Sequence, residues 1–267
     1  MARKDYLASS RKIRRKRLIL RVSFYALAAI LFCASAVAFF NIEYLKVDNV
    51  AVEGNKFVSE GELNLAVLKK LEGNIFLFIP KSNVFLIPKK EIEKDLPAEI
   101  KRIKEIYLDG DLPDKLKVKI VERENKALFC HEEDCAFIDE EAFVFEKAPY
   151  FSGAIFIKFF DERGSASSSP VVIGSYFLKQ EEFDTLMSFS ELAAKNGFEV
   201  TEIYLKPENI YELATKEGWK MVLNDRNEPE KTFANLVTTL ESSVKEKRKN
   251  LDYIDLRFGN KIYFKYF

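Results

Sequence analysis

Val22–Phe40 reads VSFYALAAILFCASAVAFF, 19 residues with no charge, no Pro and no Gly. At about 1.5 Å rise per residue this is a helix of roughly 28 Å, close to the ~30 Å hydrocarbon core of a bilayer. A helix satisfies its own backbone polar groups, which lipid demands. Tyr25 and the pair Phe39–Phe40 stand toward the ends, where aromatic rings tolerate the interface. A buried helix of a soluble core would carry a few polar positions, and this one carries almost none. The stretch therefore divides the chain into a short tail, a span and a large body beyond it.

The flanks orient the span. Residues 1–21 hold Arg3, Lys4, Arg11, Lys12, Arg14, Arg15, Lys16, Arg17 and Arg21 against the single acid Asp5, while Asn41, Glu43, Lys46 and Asp48 follow Phe40. By the positive-inside rule the tail is cytoplasmic and everything after Phe40 lies outside. The basic run is also suited to anionic lipid heads, so the bilayer is the first expected partner. Because the run abuts the span, a nucleic-acid role is not expected. The rival is a cleaved signal peptide: Ala34-Ser35-Ala36 fits the small-x-small pattern. Against it, the apolar run continues through Val37–Phe40. The bulky Phe32 before Cys33 does not suit lipoprotein processing.

The whole chain is balanced, with 42 Lys+Arg and 42 Asp+Glu, but removing residues 1–21 leaves 33 bases against 41 acids. The outer part is thus acidic and a poor binder of nucleic acid. Its hydrophobic content suits a folded body, and the 24 Phe of the chain suit β-rich packing.

Along that body, KVDNVAVE (46–53) reads as a strand ended by Gly54-Asn55. Ser59-Glu60-Gly61-Glu62 reads as a capping box before a helix with Leu63, Val67, Leu68 and Leu71 on one face. NIFLFIPKSNVFLIP reads as short extended pieces broken by Pro80 and Pro88, and Lys89–Leu96 as a short helix stopped before Pro97. Ile100–Leu108 is a strand candidate, Asp109–Pro113 a turn, and KLKVKIVE (115–122) a half-buried strand. The order is β-α-(α)-β-β.

From Ala127 the pattern changes to short aromatic strands, with ALFC and AFID flanking HEED. Then come FVFEK, IFIKFF and an exposed loop GSASSSP (164–170). Glu181–Asn196 reads as a helix capped at Asn196-Gly197. EVTEIYL, NIYELAT and WKMVLN read as strands. Glu230–Lys249 reads as a helix with Phe233, Leu236, Val237, Leu240 and Val244 as its stripe. At the end, Ile254, Leu256 and Phe258 alternate on one side and Asp255 and Arg257 on the other, the latter two read as an exposed face. Gly259-Asn260 suits a hairpin turn, and Ile262, Phe264 and Tyr266 alternate in a last strand.

These motifs carry a resemblance. VEGN (52–55), FVSEGEL (57–63), GNIF (73–76) and LPDKLKVKIVER (112–123) resemble the polypeptide-transport-associated (POTRA) domain of the FtsQ/DivIB bacterial cell-division family. The pattern P-x-x-L-x-[IV]-x-[IV]-x-E-R falls on Pro113, Leu116, Val118, Ile120, Glu122 and Arg123. Tyr253–Phe258 (YIDLRF) is similar to the family's C-terminal D-L-R mark. Three places depart from it. The segment before DLPDK lacks a common basic residue, Lys81–Lys90 is longer than usual, and Ala142 stands where the Asp139 turn often has Gly.

The resemblance implies an α+β fold: a basic tail (1–21), one transmembrane helix (22–40), a POTRA domain of β-α-α-β-β order (45–122), and a β-rich domain of antiparallel strands with two helices (123–267). It implies a bitopic scaffold that recruits and holds septal proteins of the divisome, with FtsL/FtsB (DivIC)-like coiled-coil partners. In the family the partner adds along the last strand. Carried over by position, the contacts fall on Phe258, Asn260 and Tyr266. The alternative is a POTRA component of an export or envelope-assembly pathway.

Enzyme chemistry is not expected. His131 is the only His, and there is no phosphate loop, no G-x-S-x-G and no H-E-x-x-H. No catalytic residue, metal site or cofactor is expected. Cys130, His131 and Cys135 are too close in one turn to make a convincing metal site, and adjacent side chains in a hairpin do not make a Cys–His nucleophile. Cys130 and Cys135 are instead a candidate disulfide, with two free thiols as the alternative.

Overall fold

A computed structural model describes residues 2–75, 78–151, 153–164 and 170–267, with side chains from Arg14 onward. Most of the loop at 164–170, and Phe76–Leu77 of the apolar segment, therefore lie outside the described residues. Helix α1 (Ala2–Phe40) is continuous, so the basic tail is helical and runs directly into the apolar stretch. Arg14–Phe40 is long and apolar enough to cross a membrane, and Phe24, Leu31 and Phe32 are exposed around it. Cys33 is a free, exposed thiol on the same surface.

By packing, the chain forms two compact units: residues 1–97 with 105–122, and 98–104 with 123–267. In the first unit β1 (Asn49–Glu53) is followed by α2 (Glu60–Leu71). Ser59 caps α2 by accepting from the Glu62 amide at 3.1 Å, and Leu63, Val67 and Leu71 bury its inner face. A short hairpin follows, β2 (Asn74–Ile75) and β3 (Ile79–Pro80), then α3 (Lys89–Glu99), β4 (Ile103–Asp111) and β5 (Lys115–Glu122). The sheet order is β1-β5-β4, with β1 parallel to β5. Leu116, Val118 and Ile120 of β5 are all buried, each stabilising by about 1.5–3 kcal/mol.

Several bounds differ from the sequence reading: β1 starts at Asn49 where a strand from Lys46 is expected, and β4 at Ile103 where one from Ile100 is expected. Helix α3 continues past Pro97, because in a last turn a missing N–H removes a single bond to the carbonyl four residues back. Strand β4 continues through Asp109–Asp111, so the turn shrinks to Leu112–Asp114.

The family-like residues of this unit have packing roles. Gly54 has φ +88°, and a Cβ there would stand 2.3 Å from the Ile120 carbonyl oxygen. Only glycine allows both that conformation and that approach. The Glu122 carboxylate accepts from the amides of Lys56, Phe57 and Val58 at 2.8–3.0 Å. It thereby ties the loop after β1 to the end of β5.

The second unit holds a ten-stranded sheet among the described residues. Its strands are β6 (Ala127–His131), β7 (Asp134–Ile138), β8 (Phe143–Lys147), β9 (Lys158–Asp161), β10 (Ser175–Tyr176), β11 (Val200–Lys206), β12 (Ile210–Thr215), β13 (Lys220–Asn224), β14 (Leu251–Phe258) and β15 (Lys261–Tyr266). Their order is β10-β8-β7-β6-β9-β11-β12-β13-β14-β15. Hairpins make most neighbours antiparallel. The pairs β6/β9, β9/β11 and β13/β14 are parallel, the last joined across a helical crossover.

Helices α4 (Gln180–Lys195) and α5 (Pro229–Thr239) pack against each other, and their Phe183, Leu186, Phe189, Phe233 and Leu236 join the sheet's Phe159, Ile203, Leu213, Trp219 and Met221 in one core. The single helix expected to Lys249 ends early. After α5 the chain makes a wider turn over Leu240–Val244 and a 3₁₀ run over Lys245–Asn250, the change falling at Lys245 with φ +48°. Leu240 and Val244 of the expected stripe stay buried, so the apolar pattern held while the helical period did not.

Asp139 is the polar pivot of this unit. It is fully buried, and its Oδ1 accepts from the amides of Glu141 and Phe143 at 2.9 Å while Oδ2 pairs with the Arg123 guanidinium. Arg123 also lies 4.2 Å from the centre of the Phe143 ring. The turn closes through Ala142 at φ +60°, the left-handed conformation that favours Gly at this position.

Candidate partner-binding edge

Strand β15 ends the sheet: β14 is its one neighbour among the described residues, so every second N–H and C=O along its outer side has no ladder partner. The hairpin between them turns at Gly259 (φ +64°) and Asn260, with Phe258 opposite Lys261. Asn260 is exposed, beside a shallow hollow lined by Asn235, Thr239 and Ser243.

Two β-bulges break the alternation. The register shifts between Leu251 and Tyr253 and again between Asp255 and Phe258. Each extra residue turns the following side chains over. Ile254 and Leu256 are accordingly buried, while Phe258, read as their companion, is 56% exposed. Its ring meets Tyr263 edge to face at 5.5 Å, with the Arg257 guanidinium 5.4 Å away. Tyr263, at 55% exposed, has no signal in the sequence, because the alternation of Ile262, Phe264 and Tyr266 marks only the opposite face of this strand. On that face Ile262 and Tyr266 are half-buried against the core, whereas Phe264 is 37% exposed.

The three residues carried over from the family thus occupy different settings. Phe258 and Asn260 are open at the hairpin end, and Tyr266 lies at the far end of β15 opposite Leu251, half on the core.

Asp255 was read as part of an exposed pair, and the structure corrects this. It is buried, and its carboxylate takes two guanidinium bonds from Arg257, at 2.9 and 2.6 Å. Burial pushes the Asp255 carboxyl up, but the Arg257 bonds outweigh it and hold it below the usual carboxylate range. A depressed carboxyl stabilises the fold above its unfolded pKa, and that contribution is lost as pH falls through the folded value. The pair fixes the end of β14 from which the hairpin projects.

Away from this edge, Cys130 and Cys135 face each other across the β6–β7 hairpin, joined as a disulfide with Cα atoms 4.1 Å apart. Sulfurs so engaged are not metal ligands, and no group of three or more metal-binding side chains gathers among the described residues. Closing so small a loop stabilises by roughly 2 kcal/mol by chain entropy. Alkylation of the unreduced, denatured protein should modify Cys33 alone, with Cys130 and Cys135 labelled only after reduction. Labelling of all 3 cysteines without reductant would exclude the bridge.

The β-α-α-β-β unit and the mixed sheet with a free terminal strand define a POTRA-bearing protein with a β-rich second unit. Residues 45–123 match the POTRA domain of FtsQ type. Over most of its length the chain is similar to cell division protein FtsQ of three rickettsiae. Against that of Rickettsia typhi it is 26% identical over 222 residues, covering 82% of this chain and 71% of the relative. Rickettsia conorii gives 25% over 222 residues and Rickettsia prowazekii 26% over 219, with the same coverage. Residues 45–123 are thus an FtsQ-type POTRA domain, in a chain that is similar to FtsQ cell division proteins over most of its length.

Proposed function

We propose that this chain is a bitopic scaffold of the division machinery, anchored in the bacterial inner membrane by α1, with its tail cytoplasmic and both compact units outside. The charge asymmetry about Val22–Phe40 supports that orientation. In this reading the protein recruits septal partners, and an extended segment of a FtsL/FtsB (DivIC)-like coiled-coil protein adds to β15. The observation that carries it is the terminal position of β15 with Phe258 and Tyr263 paired and exposed beside it. Backbone pairing supplies affinity in such strand addition, and side chains along the edge supply selectivity. Phe258, Asn260 and Tyr266 are the proposed contacts, with Tyr263 added.

The test compares Phe258→Lys with Tyr266→Lys in a pull-down of the coiled-coil partner, alongside thermal melts of the same proteins. Phe258 is exposed, so its substitution should leave the melt unchanged. If it is an interface anchor, a loss of about 2 kcal/mol weakens binding roughly thirtyfold. Tyr266→Lys should lower both binding and melting temperature, because this ring also covers the core. Normal binding by Phe258→Lys would remove the hairpin end from the interface.

A further inference from the structure

The exit of α1 is tied to the β2–β3 hairpin. The Asn41 side chain donates to the Val37 and Phe78 carbonyls, both at 2.8 Å, and the buried Asn83 donates to the Phe40 carbonyl at 2.9 Å. These bonds satisfy carbonyls that a helix end leaves unpaired. The segment after the hairpin is zipped to the one after the helix, Val47 donating to the Ser82 carbonyl and Val84 to that of Leu45. Strand β3 packs on the end of α1, and Ala36, Val37 and Phe40 are half-covered where most of the helix is bare.

That contact sets a depth. Val37 belongs to the apolar stretch, about one helical turn, or ~5.4 Å, before its end. A strand lying on that turn stands level with the last apolar turn of the helix. Phe78, the residue before β3, is 67% exposed there, and Ile42 and Tyr44, just past the helix, are exposed too. We propose that Phe78, together with the exposed Ile42 and Tyr44, is a membrane foot of the first unit, seated at the acyl–headgroup border of the leaflet on the C-terminal side of α1. This rests on the reading that α1 spans a bilayer. The occupant is lipid because β3 lies on a helix that is itself bare and apolar up to this level, and aromatic rings suit the interface there. With Asn41 and Asn83 bridging helix and hairpin, the foot holds the first unit against the membrane surface.

The test uses the full chain in phosphatidylethanolamine/phosphatidylglycerol vesicles, without other proteins. A Cys33→Ser background, its own labelling subtracted, receives an environment-sensitive fluorophore through Phe78→Cys, Tyr44→Cys, Phe32→Cys or Leu65→Cys. Leu65, 73% exposed on α2 between Glu62 and Lys69, is the aqueous reference. Quenchers are phospholipids brominated near the headgroup or near the chain end. The Phe32 probe should lose most emission to deep bromines, the Phe78 and Tyr44 probes to shallow ones, consistent with burial about 5–10 Å into the boundary, and the Leu65 probe to neither. Phe78 and Tyr44 probes that behave like Leu65 while Phe32 is quenched overturn the foot, leave the span intact and point to a protein occupant. An unquenched Phe32 probe overturns the span, and the foot with it.

Discussion

Asp139→Ala should destabilise the second unit by about 3–5 kcal/mol, the usual cost of leaving one member of a buried ion pair uncompensated. The carboxylate is fully buried, Arg123 is held against it with little exposure, and two turn amides depend on the same oxygen. Asp139→Asn should cost less, because its amide oxygen still accepts from Glu141 and Phe143 while only the ion pair is lost. Arg123→Met combined with Asp139→Asn should recover part of the loss, since neither charge then remains buried alone. Denaturant unfolding of the full chain in detergent, followed by the fluorescence of Trp219 in this unit's core, reads all three. Equal midpoints for Asp139→Ala and the parent would show that the pair contributes nothing to the fold.

Gly54→Ala should destabilise the first unit by roughly 3 kcal/mol or more. A left-handed backbone costs an L-residue about 1–2 kcal/mol. The added Cβ also lands 2.3 Å from the Ile120 carbonyl oxygen, so β1 and β5 must separate locally. Gly61→Ala is the matched control. It lies in the first turn of α2 with open space around it, and Ala there should stabilise by up to about 1 kcal/mol. Hydrogen exchange of the β1 and β5 amides separates this unit from the other. The Gly54 account fails if protection in β5 is the same in both variants.

Much of this molecule was legible in one dimension because its signals are local. An apolar run of bilayer length, a Ser59–Glu62 cap, the two-residue period of Leu116, Val118 and Ile120, and Gly259-Asn260 at a hairpin each act over a few residues. The helix, the strand period and the hairpin formed as read; of the capping box the Ser59 half did, accepting from the Glu62 amide. The family-like motifs were legible as a pattern, but their work was not. That Glu122 gathers three amides 64–66 residues earlier, and that Arg123 reaches Asp139, depends on which strands become neighbours.

The candidate edge divides in the same way. A final strand with alternating apolar residues could be expected from sequence, and so could aromatics near D-L-R. Only the tertiary structure decided that β15 stands at the end of a sheet, because strand order follows from long-range packing. It also decided which aromatics are free. The bulge between Asp255 and Phe258 turns Phe258 out of the core, where Tyr263 meets it, since an added residue reverses the side-chain alternation that the sequence pattern presents as unbroken, while Tyr266 at the other end of β15 stays half-covered by the core.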